Sequence, residues 1–207
     1  MNRLIVFAAA VAAGYYVYSQ NATNGAYADN GTPRTLFFST AQCGNPCNDM
    51  RRYLKSRVTF EEFDAFDGGS GQALYREYGG SGFLPYVVMG EQRVTGPDRG
   101  GLISSIAAEF GLDEVRNREK KALQRNFDQK GDPLVVMYAT DWCGYCEQAR
   151  KYFAANDIAY VELDIERDPS AKRDYDALLG TGTPLLYHGF KRMPGFNEAE
   201  IASRLDL

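Results

Sequence analysis

Two stretches of this chain keep the same spacing. Cys47 to Pro85 and Cys146 to Pro184 are both 38 positions apart, and Pro85 to Gly96 and Pro184 to Gly195 are both 11. A cysteine, a proline and a glycine held in register twice constrain the chain to fold one supersecondary unit twice. The extra residue of the first copy falls between its cysteines. Cys43-Gly44-Asn45-Pro46-Cys47 is Cys-x-x-x-Cys, whereas Cys143-Gly144-Tyr145-Cys146 is Cys-x-x-Cys.

The hydrophobic pattern assigns the same elements to both copies. In the first, Thr35 to Ser39 reads as a buried strand, the cysteine loop opens a helix through Lys55, and Val58 to Phe63 alternates as a strand. A helix over Gln72 to Tyr78, a strand over Pro85 to Met89, a turn at Gly90-Glu91 and a helix over Gly101 to Phe110 follow. In the second, Leu134 to Tyr138, the cysteine helix, Tyr160 to Leu163, Ser170 to Leu179, Pro184 to Tyr187, Lys191 to Met193 and Glu198 to Leu205 take matching places. Each copy is therefore predicted as β-α-β-α-β-β-α. Between the copies, Leu112 to Lys130 is rich in charge with apolar residues at near-helical intervals, which predicts a charged linking helix over 113–131.

The thiols sit where a strand hands over to a helix. Unpaired N–H groups and the helix dipole favour negative charge there and lower a cysteine pKa from about 8.5. Cys143, ahead of the helix, is expected to be exposed and to act as the nucleophile. Cys146, one turn in, is expected to resolve the mixed disulfide that Cys143 forms. Cys43 and Cys47 are candidates for a second redox centre, with a potential altered by the longer loop. A Cys-x-x-Cys pair also serves zinc sites and structural disulfides, but four cysteines in two close pairs leave none for a separate framework. The lone His188 has no partner in its strand, and no metal site is expected.

With 23 Lys and Arg against 27 Asp and Glu, the formal net charge is −4 and the pI about 5.1. No basic block can track a phosphate backbone, which argues against nucleic-acid binding. Leu4 to Tyr18 carries no charge and follows Arg3, so residues 1–20 read as a signal or membrane anchor. Ala26-Tyr27-Ala28 resembles a cleavage site, whereas Tyr15, Tyr16 and Tyr18 suit the interfacial belt of an uncleaved anchor. The body is expected to be exported, and in a bacterium to lie on the periplasmic side of the inner membrane, anchored or released. Residues 21–33, rich in Asn, Gly, Ala and Thr, are predicted to be a flexible tether.

Met137-Tyr138 before Trp142-Cys143-Gly144-Tyr145-Cys146, Thr183-Pro184 before a strand, and Pro194-Gly195-Phe196-Asn197 before the last helix resemble the active-site loop, cis-proline and glycine turn of glutaredoxins. The chain is similar to two tandem glutaredoxin-like domains of the thioredoxin superfamily, over 34–112 and 132–207. The resemblance implies an α/β fold in which each domain is a four-stranded mixed sheet flanked by helices. It also implies cis peptide bonds before Pro184 and Pro85, and a substrate groove formed by Tyr145, Thr183, Pro184, Gly195, Phe196 and Asn197, with Leu84 and Pro85 matching it in the first domain. A cis-proline exposes the preceding backbone groups, here those of Thr183, to an extended substrate.

The activity implied is thiol–disulfide exchange with protein disulfides or glutathione mixed disulfides. Glutathione would be a co-substrate, with no cofactor bound. Two departures bear on glutathione. Thr140 stands where many glutaredoxins have a lysine, and Asp141 and Glu147 add negative charge near the thiols; Arg150, Lys151 and Arg192 are cations able to offset it, but each reads first as surface charge. The rival reading is a redox-inert module whose proline groove holds peptides while the cysteines stay oxidised.

Overall fold

The computed structural model describes residues 25–205. The apolar run expected to be a signal or anchor lies outside these residues, and among those described no helix is long and apolar enough to cross a membrane.

The first unit runs β1 (Thr35–Ser39), α1 (Asn45–Lys55), β2 (Glu61–Asp64), α2 (Ser70–Glu77), β3 (Tyr86–Met89), β4 (Gln92–Thr95) and α3 (Arg99–Phe110). A linking helix α4 (Asn117–Gln124) leads to the second: β5 (Val135–Ala139), α5 (Gly144–Ala155), β6 (Val161–Asp164), α6 (Pro169–Ala177), β7 (Leu185–His188), β8 (Lys191–Pro194) and α7 (Glu198–Leu205). The sheets have strand orders β2-β1-β3-β4 and β6-β5-β7-β8. In each, the first pair is parallel and the other two antiparallel. The chain folds as two tandem thioredoxin-like domains, each a four-stranded mixed sheet flanked by helices.

The central strands β1 and β5 are buried on both faces, which is why they read as unbroken apolar runs. On one face of the first sheet, Leu36, Phe38, Tyr86 and Val88 pack with Tyr75 of α2. The outer face of the second sheet packs Met137 and Leu186 with Cys146, Ala149 and Phe153 of α5 and Ile201 of α7. The remaining two faces share one core. Phe37, Val87 and Met89 from one sheet and Val136, Tyr138 and Tyr187 from the other enclose Leu102, Ile103 and Ile106 of α3. Helix α3 closes its own sheet and also lies against β8 of the other. Its serines are drawn in with it: Ser104 and Ser105 are buried, and the Ser104 hydroxyl donates to Gly100 O at 3.3 Å. A helix with so little solvent face is a core element.

One ion pair ties the first domain to the linking helix and another joins the two domains. Arg57, just past α1, pairs with Glu119 of α4 at 2.8 Å, both side chains only 4 % exposed. Arg192 of β8 pairs with Asp98, the N-cap of α3, at 3.2 Å. Removing one member of the buried Arg57–Glu119 pair strands its partner's charge, at about 3–5 kcal/mol.

The structure extends the repeat beyond its expected boundary. Residues predicted to be a flexible tether are docked from residue 25 onward: Ala26 is fully buried, its N–H donates to Gly90 O at 2.9 Å, and Arg34 N–H returns to Ala26 O at 2.7 Å. The same small hairpin precedes β5, where Leu134 N–H donates to Asn126 O at 2.8 Å and Phe127 bridges Pro133 as Tyr27 bridges Pro33. The linking helix is correspondingly shorter than 113–131. Main-chain bonds hold these hairpins, so they carry no apolar periodicity.

If α3 serves both cores, Ile103→Ala should cost about 2–5 kcal/mol and lower the denaturation midpoint seen by the single tryptophan, Trp142, in the second domain. A Trp142 transition unchanged while the circular-dichroism transition shifts would contradict this coupling.

Candidate functional site

In the second domain the turn from β5 to α5 makes Cys143 the N-cap of the helix. Its backbone is extended, and its sulfur accepts the N–H of Cys146 at 3.0 Å. This is one of the donors that a helix start leaves unpaired, and a sulfur placed there is favoured as an anion. Cys143 and Cys146 form a disulfide with Cα atoms 5.2 Å apart. Cys146 is fully buried and packs in the outer core. Cys143, expected to be exposed, keeps only 6 % of its surface. One cover is the Thr183 carbonyl, 3.3 Å from its sulfur.

Thr183-Pro184 is cis, as is Leu84-Pro85. The glycine turn is tied to the same spot, since Gly195 N–H donates to Pro184 O at 2.9 Å and Gly96 N–H to Pro85 O at 2.7 Å. Of the other expected groove residues, Tyr145 is exposed beside the disulfide. Phe196 instead packs on the outer core with its ring 6.0 Å from that of Tyr152. The Asn197 side chain is used to accept Glu200 N–H at 3.0 Å at the start of α7. Leu84 is half-buried against the first core.

The charges near the thiols are paired. Asp141 pairs with Arg167, and Glu147 with Lys151 at 2.7 Å. The hydrogen bond and charge of Lys151 hold the Glu147 carboxyl below its usual range. The opposition of these carboxylates to a thiolate is therefore weaker than the sequence implies. The cations proposed to offset them are themselves engaged: Arg150 with Glu162, Lys151 with Glu147, and Arg192 between the domains rather than at the sulfur. Thr140 is buried. Among the described residues no cluster of His, Cys, Asp or Glu is placed to hold a metal ion.

Sequence reasoning missed Glu166, whose carboxylate accepts the Trp142 indole N–H at 3.0 Å and fixes a ring that is 74 % exposed. Matching turn bonds make Phe66 its counterpart, because Phe66 and Glu166 N–H donate to Asp64 and Asp164. Likewise Tyr75 donates to Phe83 O and Tyr175 to Gly182 O, both at 3.1 Å. Phe66 and Phe83 are both exposed. Aligning the halves at the β2 and β6 turns, rather than at the cysteines alone, was the available signal.

The first domain's disulfide, Cys43–Cys47, has Cα atoms 5.7 Å apart. Its extra residue changes the helix start. Gly44, at φ 62°, becomes the N-cap, and Cys43 ends a short 3-10 turn outside the helix. Pro46 supplies no N–H.

A disulfide at a helix start beside a cis-proline, on a four-stranded mixed sheet, defines a thioredoxin-fold dithiol protein. Residues 135–189 match the Glutaredoxin family model. The chain is 46 % identical over 37 residues to a protein of Mycobacterium tuberculosis named as a glutaredoxin, covering 18 % of this chain and 44 % of that one, so the match spans less than half the relative's length. It is 25 % identical over 69 residues to a glutaredoxin-like 8.6 kDa protein of the rubredoxin operon of Clostridium pasteurianum, 33 % of this chain and 92 % of that one. Among solved structures, a buckwheat glutaredoxin–glutathione complex is similar at 23 % identity and TM-score 0.33, over 44 % of this chain and 87 % of that one. The second domain is thus similar to glutaredoxins over residues 135–189, on a fold that both domains share.

The two helix starts make different demands on glycine. Gly44→Ala, at a backbone conformation that L residues rarely adopt, should cost about 1–3 kcal/mol. Gly144→Ala, with open space around the added carbon, should change stability by less than about 0.5 kcal/mol. Denaturant titration of the two variants checks this. Equal costs would mean that the caps do not differ.

Proposed function

We propose that the protein is a thiol–disulfide oxidoreductase that exchanges disulfides with proteins or glutathione mixed disulfides through Cys143 and Cys146. The observation that carries this reading is the position of the Cys143 sulfur, which takes a helix-start N–H at 3.0 Å and lies 3.3 Å from the carbonyl ahead of a cis-proline. In the reduced protein the Cys143 thiolate attacks one sulfur of a substrate disulfide, whose S–S bond breaks as the other sulfur leaves as a thiolate. Cys146 loses its proton and attacks Cys143, which releases the second substrate thiol and leaves the Cys143–Cys146 disulfide. Two electrons and two protons have then passed to the substrate, and the reverse sequence oxidises a dithiol. An extended substrate would bond to the backbone at Thr183 while Trp142 and Tyr145 contact its side chains.

Cys43–Cys47 is a second centre in this proposal, with a less activated nucleophile, because Gly44 and Pro46 deprive Cys43 of the helix-start contact that Cys143 enjoys. We also propose that the body is exported, on the strength of Arg3 followed by the uncharged run to Tyr18. A reporter active only outside the cytoplasm should work when fused after Leu207, and a cytoplasm-only reporter active at that junction would overturn the assignment.

Cys146→Ser should accumulate a mixed disulfide through Cys143, whereas Cys143→Ser should trap nothing at this centre. In a variant lacking Cys43 and Cys47, alkylation against pH should place the Cys143 thiol below the free value of about 8.5. The thiolate fraction, and with it the attack rate, should then rise as pH climbs to that midpoint and level off above it. A midpoint at or above the free value, with no trapped species in Cys146→Ser, would favour the redox-inert module.

A further inference from the structure

The sequence has a net charge of −4, yet one cleft is walled mainly by arginine. It measures about 330 Å³ and lies among α1, the start of α3 and the residue preceding α4, lined by Asp49, Arg52, Tyr53, Ser56, Arg99 and Arg116. Arg99 is the first residue of α3, and Arg116 immediately precedes α4. Both put positive charge at a helix start, where the dipole favours acids.

The nearby carboxylates are committed elsewhere. Asp98 accepts Gly101 N–H at 2.9 Å and pairs with Arg192, while Glu119 accepts Arg116 N–H at 2.9 Å and pairs with Arg57. Asp49 pairs with Arg52. Arg99 and Arg116 pair with no carboxylate among the described residues, so the wall carries an excess of positive charge. The Tyr53 hydroxyl is shut off from solvent without a hydrogen-bond partner, and the Arg57 guanidinium lies over its ring at 3.7 Å. Burial, with the Glu119 charge, pushes that phenol well above its usual range, so it stays neutral and leaves the arginine charge undiminished.

We propose that this cleft binds a small molecule bearing two or more clustered phosphate or carboxylate groups, held by Arg52, Arg99 and Arg116. Planar guanidinium forks match such oxygens, and two of these arginines gain the counter-charge that the fold does not supply. The occupant would join α1 and α3 of the first domain to the linking helix α4. Asp49 and Arg99 also line an adjoining cavity of about 220 Å³ that reaches Pro46 of the first cysteine loop, so occupancy would be felt beside Cys43 and Cys47.

Calorimetric titration of the full chain, oxidised, with inorganic pyrophosphate in one arm and citrate in the other tests the site. Saturable binding that weakens with salt is expected in at least one arm, and the arm that binds names the group. The Arg99→Gln/Arg116→Gln double variant should weaken binding by at least about tenfold, Arg52→Gln more modestly, and Asp49→Asn should strengthen it. Ligand should also raise the thermal midpoint of the wild-type chain in proportion to occupancy. Because all these residues lie away from Cys143, disulfide turnover at that centre should stay unchanged in the double variant. If that variant does not fold, Arg52→Gln and Asp49→Asn, shifting affinity in opposite directions, test the site alone. No saturable heat from either anion, or affinity unmoved by the substitutions, would overturn the proposal.

Discussion

Helix α3 has almost no face left for water. Gly100, Leu102, Ile103, Ser104, Ser105, Ile106 and Ala107 are all buried, because the helix that closes the first sheet also underlies the second. Fully burying three branched aliphatic side chains contributes about 1.5–3 kcal/mol each, and here that gain is drawn from two sheets at once. The second domain thus depends on a helix belonging to the first. The buried Arg57–Glu119 pair, worth little as net stability once desolvation is counted, fixes how α4 leaves the first domain. Arg192 does the same from the second, reaching back to the N-cap of α3.

That docking leaves the two thiol sites in different surroundings. The first cysteine loop opens α1, which faces the shared core, and so lies beside a cavity that reaches the start of α3. The second opens α5, on the outer face of its own sheet. Around the second, Glu166 orients Trp142, and the Asp141 and Glu147 carboxylates are paired with Arg167 and Lys151. In the first, exposed Phe66 stands at the turn position that Glu166 takes in the second, and Gly44 moves the helix start away from Cys43. One residue added to a loop is enough for this, because only a cysteine that is itself the N-cap can point its sulfur at the first free N–H groups.

Much of this was legible in the chain because it rests on local rules. Apolar runs announced β1 and β5, the repeat of cysteine, proline and glycine announced both domains, and the glutaredoxin resemblance implied the cis bond before Pro184, which the repeat carried to Pro85. The hairpins at 25–34 and 125–134 escaped notice because main-chain bonds hold them and leave no side-chain pattern. The apparently constant spacing from cysteine to proline also conceals two one-residue differences of opposite sense. Phe38 pairs with Phe63 as Tyr138 does with Leu163, although each second cysteine lies at a different remove from its strand.

By itself the sequence determined the elements, their duplication and the placing of each thiol pair at a strand-to-helix turn, since periodicity, β-propensity and helix-start chemistry act over a few residues. Only the tertiary structure decided what lies across space. Arg192 is buried in an interdomain ion pair and is not surface charge, Asp141 and Glu147 are matched by Arg167 and Lys151, Asn197 caps a helix, and Cys143 is covered as well as capped. These outcomes depend on which side chains meet once two sheets share a helix. The energy of an ion pair or a buried thiol is set by distance and desolvation, and neither is written in the order of residues along a chain.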